Sequence, residues 1–142
     1  MEPVYAASVT VPQNSAGIVY KILSQRRGHV LQDGHVAGTP LSRVDGLIPV
    51  IDSFGFETDL RIQAHQASVS LVFDRWGVVP GDPLDRTAVT RPLASAPPLG
   101  VARDFMLKTR RRKGLSEDVT VAKFLEPEQH QSLVDDGTLD GV

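Results

Sequence analysis

The 142-residue chain contains no cysteine, which removes a disulfide framework, a thiolate nucleophile and any zinc site built on thiolates. No apolar run approaches the roughly 20 residues of a membrane-spanning helix, and the opening Met-Glu-Pro-Val-Tyr is not a secretory signal; no membrane partner is expected. Phosphate-cradling loops are missing as well. Neither Gly-x-x-x-x-Gly-Lys-[Ser/Thr] nor Gly-x-Gly-x-x-Gly occurs, and the single glycine of "SFGFETDLR" cannot wrap a pyrophosphate. There is no Gly-x-Ser-x-Gly elbow, and Glu57 and Asp59 fall on different sides of a helix, so they form no acid–base pair. The chain is therefore expected to hold no catalytic residues, no cofactor and no metal ligands of its own.

A large excess of one charge is also lacking: 15 Lys and Arg face 17 Asp and Glu, a net charge of -2. The charge is nevertheless uneven. "KTRRRKGLSED", Lys108 to Asp118, opens with five cations in six residues, and from Gly114 onward seven acids face one base, Lys123. A basic cluster directly before an acidic tail suggests a tethered or partner-binding C-terminus rather than a free polycation.

With 41% hydrophobic residues the chain can bury a core, and its length suits one domain with an appendage. Val4 to Val11 alternates, placing Tyr5, Ala7, Val9 and Val11 on one face of a strand that ends at Pro12. Asn14 or Ser15 can cap a helix carrying Ile18, Val19, Ile22 and Leu23, with Arg26 and Arg27 at its negative end and Gly28 as its exit. His29 to Val36 and Leu41 to Val50 read as a hairpin around "AGTP". Ser53 can cap a second helix through Phe56 and Leu60 to Arg61, with Phe54 and Phe56 as a buried anchor. Val69, Leu71 and Phe73 mark a fourth strand before the rigid "VVPGDP". The order β-α-β-β-α-β predicts an α+β, ferredoxin-like split βαβ fold over residues 1–85, an antiparallel four-stranded sheet with two helices on one face.

Residues 86–100, with "RPLASAPPLG", read as a proline-rich connector, and 101–142 as a C-terminal helical segment and acidic tail. The spacing predicts a helix over Val101 to Lys113 that stops at Gly114, and a short one capped by Ser116 that reaches Phe124 and Leu125. The apolar residues of the first, Val101, Phe105 and Leu107, have no place in a complete ferredoxin-like core and are expected to dock between domains, onto something outside this chain.

Two clusters carry possible chemistry. His29, Asp33 and His35 share parity, so an unbroken strand would aim a zinc-like ligand set at one face; a hairpin with polar residues on its wet side is the favoured reading. Lys108, Arg110, Arg111, Arg112 and Lys113 suit the end of a helix dipole, and could also meet RNA phosphate, an acidic partner or the acidic tail. The strands "GHVLQDGHV" and "SVSLVFD" lack the aromatic row of an RNA-recognition motif.

The ordered series "EPVY", "GIVYKILSQRRGHV", "VAGTPL", "VDGLIPVIDSFGFETDLR" and "VFDRWGVVPGDPLD" resembles the C-terminal domain of the translational GTPases related to elongation factor two. The link "RTAVTRPLASAPPLGVARDFMLKT" and the ending "RRRKGLSEDV" resemble the spliceosomal branch, in the U5 small nuclear ribonucleoprotein, more than the ribosomal translocase, whose link is shorter. The resemblance implies a fragment of a nuclear protein whose GTP-binding domain lies upstream, in keeping with Met1 standing directly before a strand. It also implies partners in splicing: a large scaffold protein, an unwinding helicase, U5 snRNA and upstream domains of the same polypeptide. One departure is visible. "RIQAHQA", Arg61 to Ala67, carries His65 where relatives have glycine, so the turn after the second helix is expected to differ.

Overall fold

The computed structural model describes residues 1–91, 96–120 and 125–137. The chain forms two compact units, Met1–Val78 and Val79–Val142. The first contains β1 (Glu2–Pro12), α1 (Ala16–Gln25), β2 (His29–His35), β3 (Leu41–Pro49), α2 (Phe56–Gln63) and β4 (Ser68–Gly77). The strands pair antiparallel in the order β2-β3-β1-β4, the split βαβ arrangement that the apolar periodicity predicts.

The core lies between one sheet face and the two helices. Ala7, Val9 and Val11 of β1 and Val44 and Ile48 of β3 meet Val19, Ile22 and Leu23 of α1 and Phe56, Leu60 and Ala64 of α2, all buried. Each fully buried large apolar side chain contributes about 1.5–3 kcal/mol, so this alternation suffices to select the face on which the helices pack. Ser53, expected as the α2 cap, instead donates its hydroxyl to the Val50 carbonyl at 2.6 Å within a 3-10 turn (Val50–Asp52). Gly55, in a left-handed conformation (φ 80°), precedes the helix. This turn buries Phe56 and leaves Phe54 74% exposed, which corrects the reading of both rings as an anchor. At the turn after α2, Gln66 takes φ 64°.

The exit from α1 also differs from expectation. Arg27, not Gly28, adopts the left-handed conformation (φ 56°), and the Gly28 N–H reaches back to the Leu23 carbonyl at 2.8 Å. Gly28 is required for another reason: a Cβ there would lie 2.8 Å from the Leu47 carbonyl oxygen. Arg26 and Arg27 then do more than face a helix dipole. Arg27 donates to both Glu2 carboxylate oxygens, at 3.0 and 2.9 Å, and to Asp52 at 2.7 Å. Arg26 donates to the Asp52 and Phe54 carbonyls, at 2.8 and 2.6 Å, and pairs with Asp59.

Two register shifts reshape the sheet edges. Between Val30 and Gln32 the β2–β3 pairing skips Leu31, so His29, opposite Leu47, faces away from Asp33 and His35, which are opposite Val44 and Ser42. Asp33 accepts a hydrogen bond from the Tyr20 hydroxyl, and Gln13 Nε2 lies 2.5 Å from His35 Nδ1. The shared face of the three residues is thus broken by one extra residue. Between Val4 and Tyr5 the β1–β4 pairing skips Asp74. The skip returns Phe73 and Trp76 to one side, where their exposed rings meet edge-on with centroids 6.2 Å apart.

In the second unit, α3 (Val101–Arg112) follows a 3-10 turn (Pro98–Gly100), and α4 (Pro127–Asp135) follows the capping box of Glu126 and Gln129. Residues 79–85, expected in the first domain, hydrogen-bond to α3: the Ala102 N–H meets the Pro80 carbonyl at 3.2 Å and Arg103 meets that of Pro83 at 3.1 Å. The helix expected from Ser116 does not form over the described residues 116–120; Phe124 lies outside the described residues. Among the described residues, no helix is long and apolar enough to cross a membrane.

Glu2 is 7% exposed, so removing its partner strands a buried carboxylate. Arg27→Ala should lower unfolding free energy by about 2–4 kcal/mol, and Arg61→Ala, which breaks only an exposed pair with Glu57, by less than about 0.5 kcal/mol. Denaturant unfolding checks both, and equal losses would contradict the assignment. On the other sheet face the Ser8 hydroxyl, at 2.7 Å, and then Gln32 and Arg43 hold the Asp45 carboxyl below its ordinary pKa. A depressed folded value gives stability that is complete above the unfolded carboxylate pKa, about 4, and is lost as pH falls through the folded value. Acid unfolding of Asp45→Asn should therefore be less steep below about pH 4 than that of the parent chain, and superimposable acid limbs would count against this role.

Candidate functional site

The basic cluster occupies the last turn of α3 and its exit. The helix runs from Val101 to Arg112, and Gly114, at φ 69°, ends it with no neighbour within 4 Å of where a Cβ would stand. The reversal is a Schellman motif: the Leu115 N–H meets the Arg110 carbonyl at 2.9 Å and the Gly114 N–H that of Arg111 at 3.1 Å.

This reversal turns the acidic residues back onto the cations. Arg111 grips Glu117 with two hydrogen bonds, of 2.7 and 3.0 Å, and that hydrogen bond holds the Glu117 carboxyl below its ordinary value. Arg110 Nε donates to the Ser116 carbonyl at 2.5 Å. Lys108 reaches back one turn to Asp104 at 2.8 Å, and Asp104 is itself buried. Arg112 and Lys113 are exposed, and among the described residues no acid or hydrogen-bond acceptor meets either side chain. Of the three partners considered for the cluster, the adjoining acidic segment thus engages Arg111, while two cations stay available.

The three apolar residues of α3 divide differently from expectation. Val101 and Leu107 are 4% and 8% exposed, so neither requires cover from outside the chain. Burial recurs at Val101, Asp104 and Leu107, a one-sided spacing of three that the sequence shows plainly, although its middle member is a charge. Phe105 is half-buried. Among the described residues no three of His, Asp and Glu gather closely enough to hold a metal ion. The exposed Phe73–Trp76 pair was not anticipated, because it depends on the skipped Asp74 rather than on alternation.

A family model described as "Elongation factor G C-terminus" matches residues 1–87. Pre-mRNA-splicing factor cwf10 of Schizosaccharomyces pombe is 52% identical over 140 residues, covering 98% of this chain and 14% of the relative. The 110 kDa U5 small nuclear ribonucleoprotein component CLO of Arabidopsis thaliana is 52% identical over 127 residues, 89% of this chain and 13% of its own length. Pre-mRNA-splicing factor SNU114 of Saccharomyces cerevisiae is 38% identical over 148 residues, 96% of this chain and 15% of its own length. The chain spans about one seventh of the length of the curated relatives it matches. The resemblance carried by the quoted stretches is met by these matches.

Because only backbone conformation is strained at position 114, Gly114→Ala should cost about 1–2 kcal/mol locally. It should accelerate hydrogen exchange at the Leu115 amide, which is bonded to the Arg110 carbonyl. Unchanged exchange there would show that the reversal does not depend on glycine.

Proposed function

The chain belongs to the elongation factor G C-terminus family, and on that premise we propose that it is the C-terminal domain of a spliceosomal elongation-factor-like GTPase of the U5 small nuclear ribonucleoprotein, acting in pre-mRNA splicing. The observation that supports this reading is where the similarity continues. The family match, which ribosomal and spliceosomal branches would share, ends at residue 87, nine residues into the second unit and before α3. The alignment with cwf10 runs over 140 residues, so it also takes in α3 and its basic end. The second unit, which no ferredoxin-like core requires, is therefore shared with a splicing factor.

In this role the chain contributes surfaces rather than chemistry. The sequence has no phosphate loop, and GTP is held by an upstream domain of the parent protein. The rigid α/β unit passes the nucleotide-dependent arrangement of those domains to nuclear partners: the large scaffold protein, the unwinding helicase and U5 snRNA. Arg112 and Lys113 are the cations wholly available for RNA phosphate, since Lys108 and Arg111 pair with acids within the chain and Arg110 is tied to the Ser116 carbonyl through its Nε.

Exchange of the matched segment of cwf10 for this chain in Schizosaccharomyces pombe tests the assignment. Growth, with U5 snRNA co-purifying with the chimaera, is the expected result. A chimaera that accumulates normally but stays out of particles containing U5 snRNA would overturn it. The RNA contact is read separately, from binding of a single-stranded RNA at several salt concentrations. Arg112→Gln with Lys113→Gln should reduce the slope of log affinity against log salt by roughly 1.4, about 0.7 per cation. An unchanged slope would remove these two residues from RNA binding.

A further inference from the structure

The segment after α3 presents one hydroxyl in an arrangement that the proposed role in splicing does not use. Every residue from Arg111 to Asp118 is exposed, and residues 115–120 belong to no helix or strand. Ser116 lies in this segment. Among the described residues its Oγ accepts a single contact, of 3.2 Å, from the Asp118 N–H, and its carbonyl is fastened to Arg110 at 2.5 Å. Counting back from Ser116, Lys113 stands three residues before it and Arg112, Arg111 and Arg110 four to six before it. Thr109, the nearest other exposed hydroxyl, lies inside α3 and has Arg110 to Lys113 after it rather than before it.

We propose that Ser116 is a phosphoacceptor for a protein kinase that selects basic residues N-terminal to its target, and that the phosphate is held beside the end of α3 by Arg110, with Arg112 and Lys113 supplying neighbouring positive charge. The inference is independent of the chain's place in splicing. In the transfer, Ser116 Oγ bonds to the terminal phosphorus of ATP while the bond from that phosphorus to the bridging oxygen breaks. ADP departs, and the hydroxyl proton passes to the kinase's catalytic carboxylate. The product carries a charge near -2 and three strong acceptor oxygens. The Schellman reversal has already brought residue 116 to the Arg110 guanidinium, so little further ordering is needed for the phosphate to bind there. Arg112 and Lys113, without partners among the described residues, are the charges that such a group would neutralise.

The test has two arms. The chain is incubated with ATP and the catalytic domain of a kinase selective for upstream basic residues, and the modified peptide is identified by mass spectrometry. One phosphate on Ser116, lost in Ser116→Ala, is expected. Incorporation elsewhere only, or none while a control peptide is phosphorylated, overturns the acceptor assignment. In the second arm phosphoserine is installed at position 116 by semi-synthesis and titrated by phosphorus NMR. Arginine contact should bring its midpoint below the roughly 6 of an unconstrained phosphoserine, and Arg110→Gln should move it back. A midpoint that is neither lowered nor sensitive to Arg110→Gln overturns the holding site even if Ser116 is modified. Neither arm reads splicing or RNA binding, so failure of the proposed function leaves both outcomes interpretable.

Discussion

Two consecutive arginines at the end of α1 hold the first unit in register. Arg27 takes a left-handed conformation so that its guanidinium can enter between Glu2, at the start of β1, and Asp52, in the turn after β3. Arg26 reaches the other way, to two carbonyls of that turn and to Asp59 on α2. Four segments distant in sequence thus meet through two adjacent side chains. Because Glu2 is buried and its charge is costly unless paired, the knot contributes geometric definition more than net stability. It sets where α2 begins, hence which of Phe54 and Phe56 enters the core.

What could be read from the sequence was what repeats. The alternation of Ala7, Val9 and Val11 and the helical spacing of Val19, Ile22 and Leu23 identify the buried faces, because burial acts on every turn of a helix and every second residue of a strand. What could not be read was what occurs once. A single skipped residue at Leu31 sends His29 to the opposite face, and composition leaves no mark of it. Ser53 satisfies the usual preference for a helix cap, but the helix begins after Gly55 and the Ser53 hydroxyl donates locally to the Val50 carbonyl instead, a bond that serine side chains form readily. The α4 start was in principle visible, as Glu126-Pro127-Glu128-Gln129, but its helix is short and weakly apolar.

The basic cluster divides in the same way. Its position at a helix end was legible from Gly114, since few other residues adopt the left-handed exit without strain. Its engagement was not, because Arg111 and Glu117 are six residues apart and meet only across the reversal. The two units also differ in what they reveal. The first is built as its family is built, and fold alone leaves function open. The similarity to splicing factors is informative because it continues into residues that the fold does not need.

The skipped residue on β4 bears on how copies of this chain behave in a crowded solution. β4 is ten residues long and lies at the edge of the sheet, and a strand of that length with unpaired backbone groups would invite pairing between molecules. Asp74, displaced from the ladder, and Arg75, paired with it at 2.7 Å, place opposite charges toward the C-terminal end of that edge and twist the strand there. The interruption lies between Phe73 and Trp76, the exposed aromatic pair. The irregularity that brings the rings to one side therefore also interrupts that end of the edge.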